Sequence, residues 1–330
     1  MNQKESKVSI LLLTYNSDWE RVRLTLQGIM KQDYRNFEIL VADDGSKDNL
    51  KEKLIAYFAE HDFDRYQLIL NEENHGTVKN ILSGLEKASG YYVKPVGAGD
   101  LFYNRHSLGR VVSFMEKSGA EGCVGLLRAF VEEEGRYRGV YYESPFDIEA
   151  YRKKDGERIR RNLLLYSDNV SGAGMFCKTS YYREYLEKIQ DYVIYEEDIF
   201  QVMAALDGRE FQLFDEYFVW YEANIGASTS KDSPFRRKIA EDVDRFYRYI
   251  IRSYPKNKWV IKRKKLMKYY KIENLYLRTL LRTFENPGLV PYLLSHYKQK
   301  ACRATNQKNA EKGFLQEKGF MKELRSNKRG

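Results

Sequence analysis

Four apolar runs of strand length recur early in the chain: VSILLLT at 8–14, FEILVA at 37–42, YQLIL at 66–70 and YYVKPV at 91–96. The segments 21–32, 50–60 and 78–88 between them read as helices. Continuous apolar runs mark strands buried on both faces. Their alternation with helices predicts an α/β chain of βαβ units around a mostly parallel central sheet. Ligands of such sheets bind beyond the carboxyl ends of the strands, so Thr14, Asp43, Asn71 and the turn at 97–100 are expected along one rim.

After Leu101 the alternation fails. A helix over 107–117, a strand over 123–132 and a polar stretch over 141–161 are followed by NVSGAGMFC, read as a small-residue strand. YEEDIFQVMAALDG then opens a helix on acids and places Ile199, Val202, Met203 and Leu206 on one face. From Pro234 the pattern is helical and basic, with Pro255 and Pro287 as breaks, and the polar residues beyond about 303 read as poorly ordered. No internal repeat is evident.

Charge divides the chain more sharply than hydropathy does. Up to Ser230 there are 29 lysines and arginines against 38 acids; after it there are 27 against 9, so net charges of −9 and +18 make up the overall +9. An acidic body with a basic tail implies an anionic partner for the tail. In VIKRKKLMKYYKIENLYLRTLLRTF, aromatic and leucine residues recur among the cations, a pattern suited to an anionic membrane surface as well as to packing on the body. Nucleic acid is the rival anion, but no nucleic-acid motif accompanies the charge, and none is expected to bind. The three cysteines lie far apart, without zinc spacing, and fit a reducing cytoplasm. The N-terminal MNQKESKVSI lacks a signal-peptide run, and no stretch has the roughly 20 apolar residues of a bilayer span. A cytoplasmic protein, peripheral on the inner face of the membrane where the tail docks, is the expectation.

Three motifs carry candidate chemistry. VADDGSKDN ends the second strand in two carboxylates, a glycine and a serine, which suit either a capped turn or recognition of a base and ribose. YYVKPVGAGD ends the fourth strand on one aspartate, Asp100, which suits either a turn or a metal ligand. Glu196, Glu197 and Asp198 open a helix, where acids complement the macrodipole or, crowded together, raise one another's pKa. The four histidines lack metal-ligand spacing.

In order and spacing, VSILLLTYNS, VADDGSKDN and NEENHGTVKNILSGLEKASGYYVKPVGAGD resemble glycosyltransferase family 2, whose members are inverting enzymes with the A-type fold. The resemblance covers about residues 8–230. It implies a catalytic domain at 1–230, with a Rossmann-like nucleotide-sugar half to about 100 and an acceptor half from about 101, and leaves 231–330 as a basic helical extension. It further implies a UDP-sugar donor and a glycan or lipid-linked acceptor in surface polysaccharide assembly. Thr14, Tyr15 and Asn16 would surround the base, Asp44 would read it, and Asp43 and Gly45 would support the ribose side. Asn74, His75, Gly76, Lys79 and Asn80 would flank the diphosphate.

Asp100, with Gly99 beside it, falls where the family keeps the last aspartate of a metal motif, which implies Mn²⁺ or Mg²⁺. Gly97, Ala98 and Gly99 replace the usual acids, so neutralisation by Lys94 or Lys79 stays open. Asp198 would be the general base, with Glu197 beside it, and Gly172, Gly174 and Met175 would line the acceptor side. Trp220, Tyr221 and ANIGAST correspond to a loop over the donor, from which Lys231, Arg236 and Arg237 would reach the diphosphate. A nucleotide-binding protein of the same fold with little catalysis is the other reading of the depleted metal motif.

Overall fold

In β1 (Val8–Thr14), side chains alternate between two cores, Leu11 to one side and Val8, Ile10 and Leu12 to the other. β2 (Phe37–Asp43) divides the same way, with Leu40 and Ala42 opposite Phe37, Ile39 and Val41. The period of two along a pleated strand explains why both runs are apolar on both faces, the buried Ser9 hydroxyl and Glu38 carboxylate satisfying each other at 2.6 Å. The computed structural model describes residues 5–133, 136–142, 144–223, 235–317 and 319–326.

β1 and β2 pair in parallel with each other and with β3 (Tyr66–Leu70) and β4 (Tyr92–Gly97) in the order β3-β2-β1-β4. The intervening helices are α1 (Trp19–Met30), α2 (Lys51–Glu60) and α3 (Thr77–Lys87). Beyond β4 the same sheet continues with mixed polarity. β8 (Met175–Lys178) runs antiparallel to β4, β6 (Gly122–Glu133) antiparallel to β8, and β9 (Gln212–Glu222) parallel to β6. β5 (Leu101–Phe102) closes the edge on β9, and β7 (Arg136–Gly139) folds back on β6. One sheet thus runs through residues 8–222.

Helices α4 (Ser107–Ser118), α7 (Thr179–Ile189) and α8 (Phe200–Leu206) cover the second half. The stretch 141–161, read as polar, contains α5 (Ile148–Arg152) and the start of α6 (Gly156–Tyr166). Asp155 caps α6 on the Arg158 amide, and Ile159, Leu163 and Leu164 bury its inner face. NVSGAGMFC is a strand only from Met175; residues 172–174 form a tight 3₁₀ turn.

The basic extension is helical: α9 (Arg236–Ser253), α10 (Lys258–Met267), α11 (Leu275–Glu285), α12 (Leu289–Ala301), α13 (Arg303–Glu317) and α14 (Gly319–Ser326). Pro255 and Pro287 fall between helices, as expected. Phe246, Tyr247, Ile250, Val260 and Leu266 enter the main core. The expectation of poor order beyond 303 is corrected: Phe314, Met321 and Leu324 pack with Leu101, Phe130 and Trp220 in a separate buried cluster. Polar ties reinforce the contact, with the Arg128 guanidinium donating to the Ala310 carbonyl at 2.8 Å and Lys31 pairing with Glu323 at 2.9 Å. The few apolar residues are spaced too widely for composition to reveal this docking.

Phe314 meets the Trp220 ring edge-on at 5.6 Å. Phe314→Ala is therefore expected to cost about 3–5 kcal/mol in urea unfolding. A loss below about 0.5 kcal/mol would mean that α13 does not dock on the sheet.

Candidate functional site

The rim at the ends of β1 and β2 is knotted by one carboxylate. Buried Asp43 accepts from the Thr14 hydroxyl at 2.8 Å, the Ser46 amide at 2.8 Å and the Ser46 hydroxyl at 2.6 Å. Asn16, in the left-handed region, donates its amide to the Ser46 hydroxyl oxygen and accepts from the Lys47 amide at 3.1 Å. This leaves the Tyr15 ring exposed at the mouth, edge-on to Phe235 at 6.5 Å.

Asp44 accepts from the His75 amide at 2.9 Å and the Gly76 amide at 3.0 Å, so it clamps the loop before α3 against the rim. Burial pushes its pKa up, and those two amides oppose the shift. Close approach fixes the glycines here. A Cβ on Gly45 would lie 2.4 Å from the Glu73 carbonyl carbon, and one on Gly76 2.2 Å from an Ile194 methyl, both at positive φ. Asn80 is buried and bridges the Asn71 side chain and the Ala42 carbonyl, whereas Asn74 and Lys79 are exposed beside the loop.

At the end of β4, Lys94 is fully buried and donates to the carbonyls of Pro95 and Ala173, each at 2.7 Å. Burial pulls its pKa down and pushes that of Asp100 up, while their mutual attraction opposes both shifts. The Thr25 hydroxyl holds the turn from behind, accepting from the Gly99 amide and donating to the Asp100 carbonyl. Glu222 donates its amide to Asp100 Oδ1 at 3.5 Å, and its own buried carboxylate pairs with Arg21. A Cβ on Gly99 would come within 3.0 Å of that carboxylate.

The acid cluster follows Ile194, which packs on Gly76 and accepts from the Val78 amide at the rim. Glu196, Glu197 and Asp198 all have raised pKa values, in each case chiefly through burial and then through neighbouring acids. Asp198 Oδ1 is buried and has no hydrogen-bond partner among the described residues. The carboxylate is held by the Gly172 amide, and its backbone carbonyl by Gln201 Nε2 at 2.7 Å. The loop leading into the cluster hangs on Asp242 of α9, which accepts from the amides of Ile194, Tyr195 and Glu196. Tyr142 lies between the two carboxylate sites: its phenol is bonded to Ser171 and Tyr221, and both Asp198 and Asp100 act on it electrostatically.

Several expectations shift on this geometry. Gly172 lies at the acids, with room for a Cβ only 3.0 Å from Glu197 Oε1. Gly174 instead packs on the Gly125 carbonyl, and Met175 is fully buried in the main core, so neither offers an acceptor surface. Trp220 and Tyr221 belong to β9, and Trp220 is sealed in the core with its indole nitrogen donating to the Tyr103 carbonyl. ANIGAST beyond Ala223 and Lys231 lie outside the described residues, as does the Arg236 side chain; Arg237 is highly exposed and pairs with Glu241. Among the described residues, no three His, Cys, Asp or Glu side chains cluster as a metal site. Arg21, Tyr142, Gln201, Glu222 and Asp242 went unread in the sequence. Only Glu222, directly after the singled-out Trp220 and Tyr221, carried a local signal.

Four parallel strands that end in an aspartate-knotted rim and continue into mixed strands within one sheet are the architecture of a glycosyltransferase with the A-type fold. S. aureus TarS in complex with UDP-GlcNAc has a similar fold, with a TM-score of 0.56 at 19% identity over 94% of this chain and 92% of that one. PcManGT, a mannosyltransferase of Pyrobaculum calidifontis in complex with GDP-Man and Mn²⁺, aligns with a TM-score of 0.52 at 17% identity over 93% and 86% of the two chains. Residues 9–186 match the model of Glycosyl transferase family 2, and the chain belongs to that family.

Curated relatives include EpsE of Bacillus subtilis (strain 168), named as a glycosyltransferase, at 30% identity over 39% of this chain and 45% of its own length. Another is the Escherichia coli UDP-Glc:alpha-D-GlcNAc-diphosphoundecaprenol beta-1,3-glucosyltransferase WfgD, at 30% over 29% and 36%. The chain spans less than half the length of either relative.

An ionised Asp198 with an unpartnered oxygen destabilises the fold. Its pKa is raised above the ordinary 3.8, so the folded state holds the proton that the unfolded chain releases, and stability falls as pH rises through the folded pKa. Asp198→Asn is expected to raise the melting midpoint by about 2–4 °C at pH 7.5, with the gain shrinking toward pH 5. An unchanged or lowered midpoint at pH 7.5 would show that the fold does not raise the Asp198 pKa.

Proposed function

We propose that this chain is an inverting glycosyltransferase that moves a sugar from a UDP-sugar to a hydroxyl of a glycan or lipid-linked acceptor in cell-surface polysaccharide assembly. The observation that carries this reading is the buried, unpartnered oxygen of Asp198, facing the Asp100 turn across Tyr142. Burial and neighbouring acids make it a stronger base than an exposed carboxylate. In the transfer, the acceptor hydroxyl gives its proton to Asp198 while its oxygen attacks the anomeric carbon from the face opposite the diphosphate. The bond from that carbon to the diphosphate oxygen breaks, UDP departs with the electron pair, and the sugar inverts. The Gly172 amide and Gln201 hold the base in place, so little reorganisation accompanies proton transfer.

The Tyr15 face would take the base, with Thr14 and Asn16 fixing its loop. The clamp from Asp44 to His75 and Gly76 presents the loop ahead of Lys79 to the diphosphate. The TarS complex with UDP-GlcNAc and the donor in the WfgD name support uridine, whereas the GDP-Man complex of PcManGT makes guanosine the control. The diphosphoundecaprenol acceptor in the WfgD name supports a lipid-linked acceptor.

The residues fit a divalent cation held sparsely. Asp100 supplies one hard oxygen, and Glu222, with one buried unpartnered oxygen, stands behind it, so diphosphate oxygens and water would complete the shell. Such an ion, when bound, offsets charge on the departing diphosphate; PcManGT carries Mn²⁺.

Two measurements test this reading. Calorimetric titration should show UDP binding more tightly than GDP, with Mn²⁺ dependence that disappears in Asp100→Asn. Metal-independent binding unaffected by that substitution would assign charge neutralisation to exposed Lys79 rather than to Lys94, which is buried on two carbonyls, and no nucleotide binding would overturn the proposal. Asp198→Asn should lower turnover by at least about 100-fold while the Kd for UDP stays within about twofold. Retained turnover would remove Asp198 as the base.

A further inference from the structure

Helix α11 is inside out. In LYLRTLLRTFE, Tyr276, Leu280 and Phe284 recur at i, i+4 and i+8 and share one face, yet they are 87%, 66% and 85% exposed, and no residue of the helix is buried. Its arginines turn back to the protein: the Arg282 guanidinium lies over the Tyr270 ring at 4.8 Å, and Arg278 donates to the Ile272 carbonyl. The next helix, α12, packs on α11 and exposes Val290, Leu294 and Tyr297 at i, i+4 and i+7. Two consecutive helices thus hold out apolar rows that the fold does not cover, where an ordinary surface helix buries its apolar stripe.

The charge around these rows selects the partner. An open cavity of about 770 Å³ between α9 and α10 is lined by Arg252, Lys264 and Lys271, by Arg248 paired with Asp244 and Lys268 paired with Glu285, and by apolar Val243, Ile251 and Met267. The cavity reaches α11 through Tyr270, which Arg263 and Arg282 flank. A second copy seated face to face would bring two such cationic surfaces together in a chain whose residues after Ser230 carry +18. An anionic bilayer meets both demands at once, with headgroups for the lysines and arginines and the acyl boundary for leucine and aromatic side chains. Among the described residues, no helix is long and apolar enough to cross a membrane, so the helices would lie on the surface.

We infer that α11 and α12 form a monotopic membrane-docking face, their apolar rows in the headgroup layer of an anionic bilayer and the α9–α10 cations against its phosphates. This adds a location to the reading of a lipid-linked acceptor and rests on that reading only for its purpose. The face itself is independent of the donor chemistry.

Vesicle flotation of the full chain tests it. Wild type is expected to float with vesicles of about one part phosphatidylglycerol to two parts phosphatidylcholine, and to stay behind with phosphatidylcholine alone or at high salt. The triple substitution Tyr276→Ser, Leu280→Ser and Phe284→Ser should weaken flotation about tenfold or more. Because those side chains are exposed, the melting midpoint and UDP titration should match wild type, which separates failure of docking from failure of the fold or of the donor site. Lys264→Glu with Lys268→Glu should remove the preference for anionic vesicles. Wild type that fails to float, or a triple variant that floats equally well, would overturn the inference. So would sedimentation showing that the wild type self-associates through this face and the triple variant does not.

Discussion

A lysine buried in the sheet ties the site together. Lys94 sits on β4 with no exposure to speak of, and its ammonium spans to the carbonyl of Ala173 in the turn that also presents Gly172 to Asp198. A desolvated ammonium survives only where fixed oxygens and an opposite charge replace its water. Here the oxygens are two carbonyls and the charge is Asp100. One side chain therefore fixes the spacing between the β4 turn and the acid cluster. Substituting it without also neutralising Asp100 would remove the principal cation acting on that carboxylate.

The first half of the site was legible because its chemistry is local. An aspartate that binds its own hairpin of backbone, as Asp43 does with Ser46, leaves its mark within a few residues, and apolar runs announce the strands that place it. EED at 196–198 was legible for the same reason. The second half was not, because its strands pair out of order and with mixed polarity: β8 inserts between β4 and β6 although more than seventy residues separate it from β4. Tyr142 reaches its place only through that ordering, and nothing in the residues around it marks it. In the same way, the pattern over 234–253 identified a helix but could not show that Asp242 would turn inward to hold three amides of another segment.

That last contact changes what the extension is for. A basic tail reads from composition as an appendage, yet α9 fixes the approach to the acid cluster, and α13 and α14 cover the edge of the sheet where β5 and β9 meet. Its cations divide accordingly. Arg263 is spent inside, stacked on Tyr247 at 3.6 Å, whereas the lysines of α10 point to solvent. Net charge alone counts both kinds alike, so it overstates the charge available to a partner.

The acids at 196–198 show a conflict that the fold leaves unresolved. Two other buried aspartates are fully employed: Asp43 has three donors, Asp242 three amides and Arg245. Asp198 is crowded by two acids and keeps one oxygen unpaired. A sequence optimised for stability alone would neutralise or pair it, because an orphaned buried acceptor costs about 1–3 kcal/mol. The molecule instead spends Gly172, Gln201 and the Asp242 clamp on holding that carboxylate still while leaving its free oxygen unsatisfied. A geometry that is carefully positioned and electrostatically strained is what the proposed base requires.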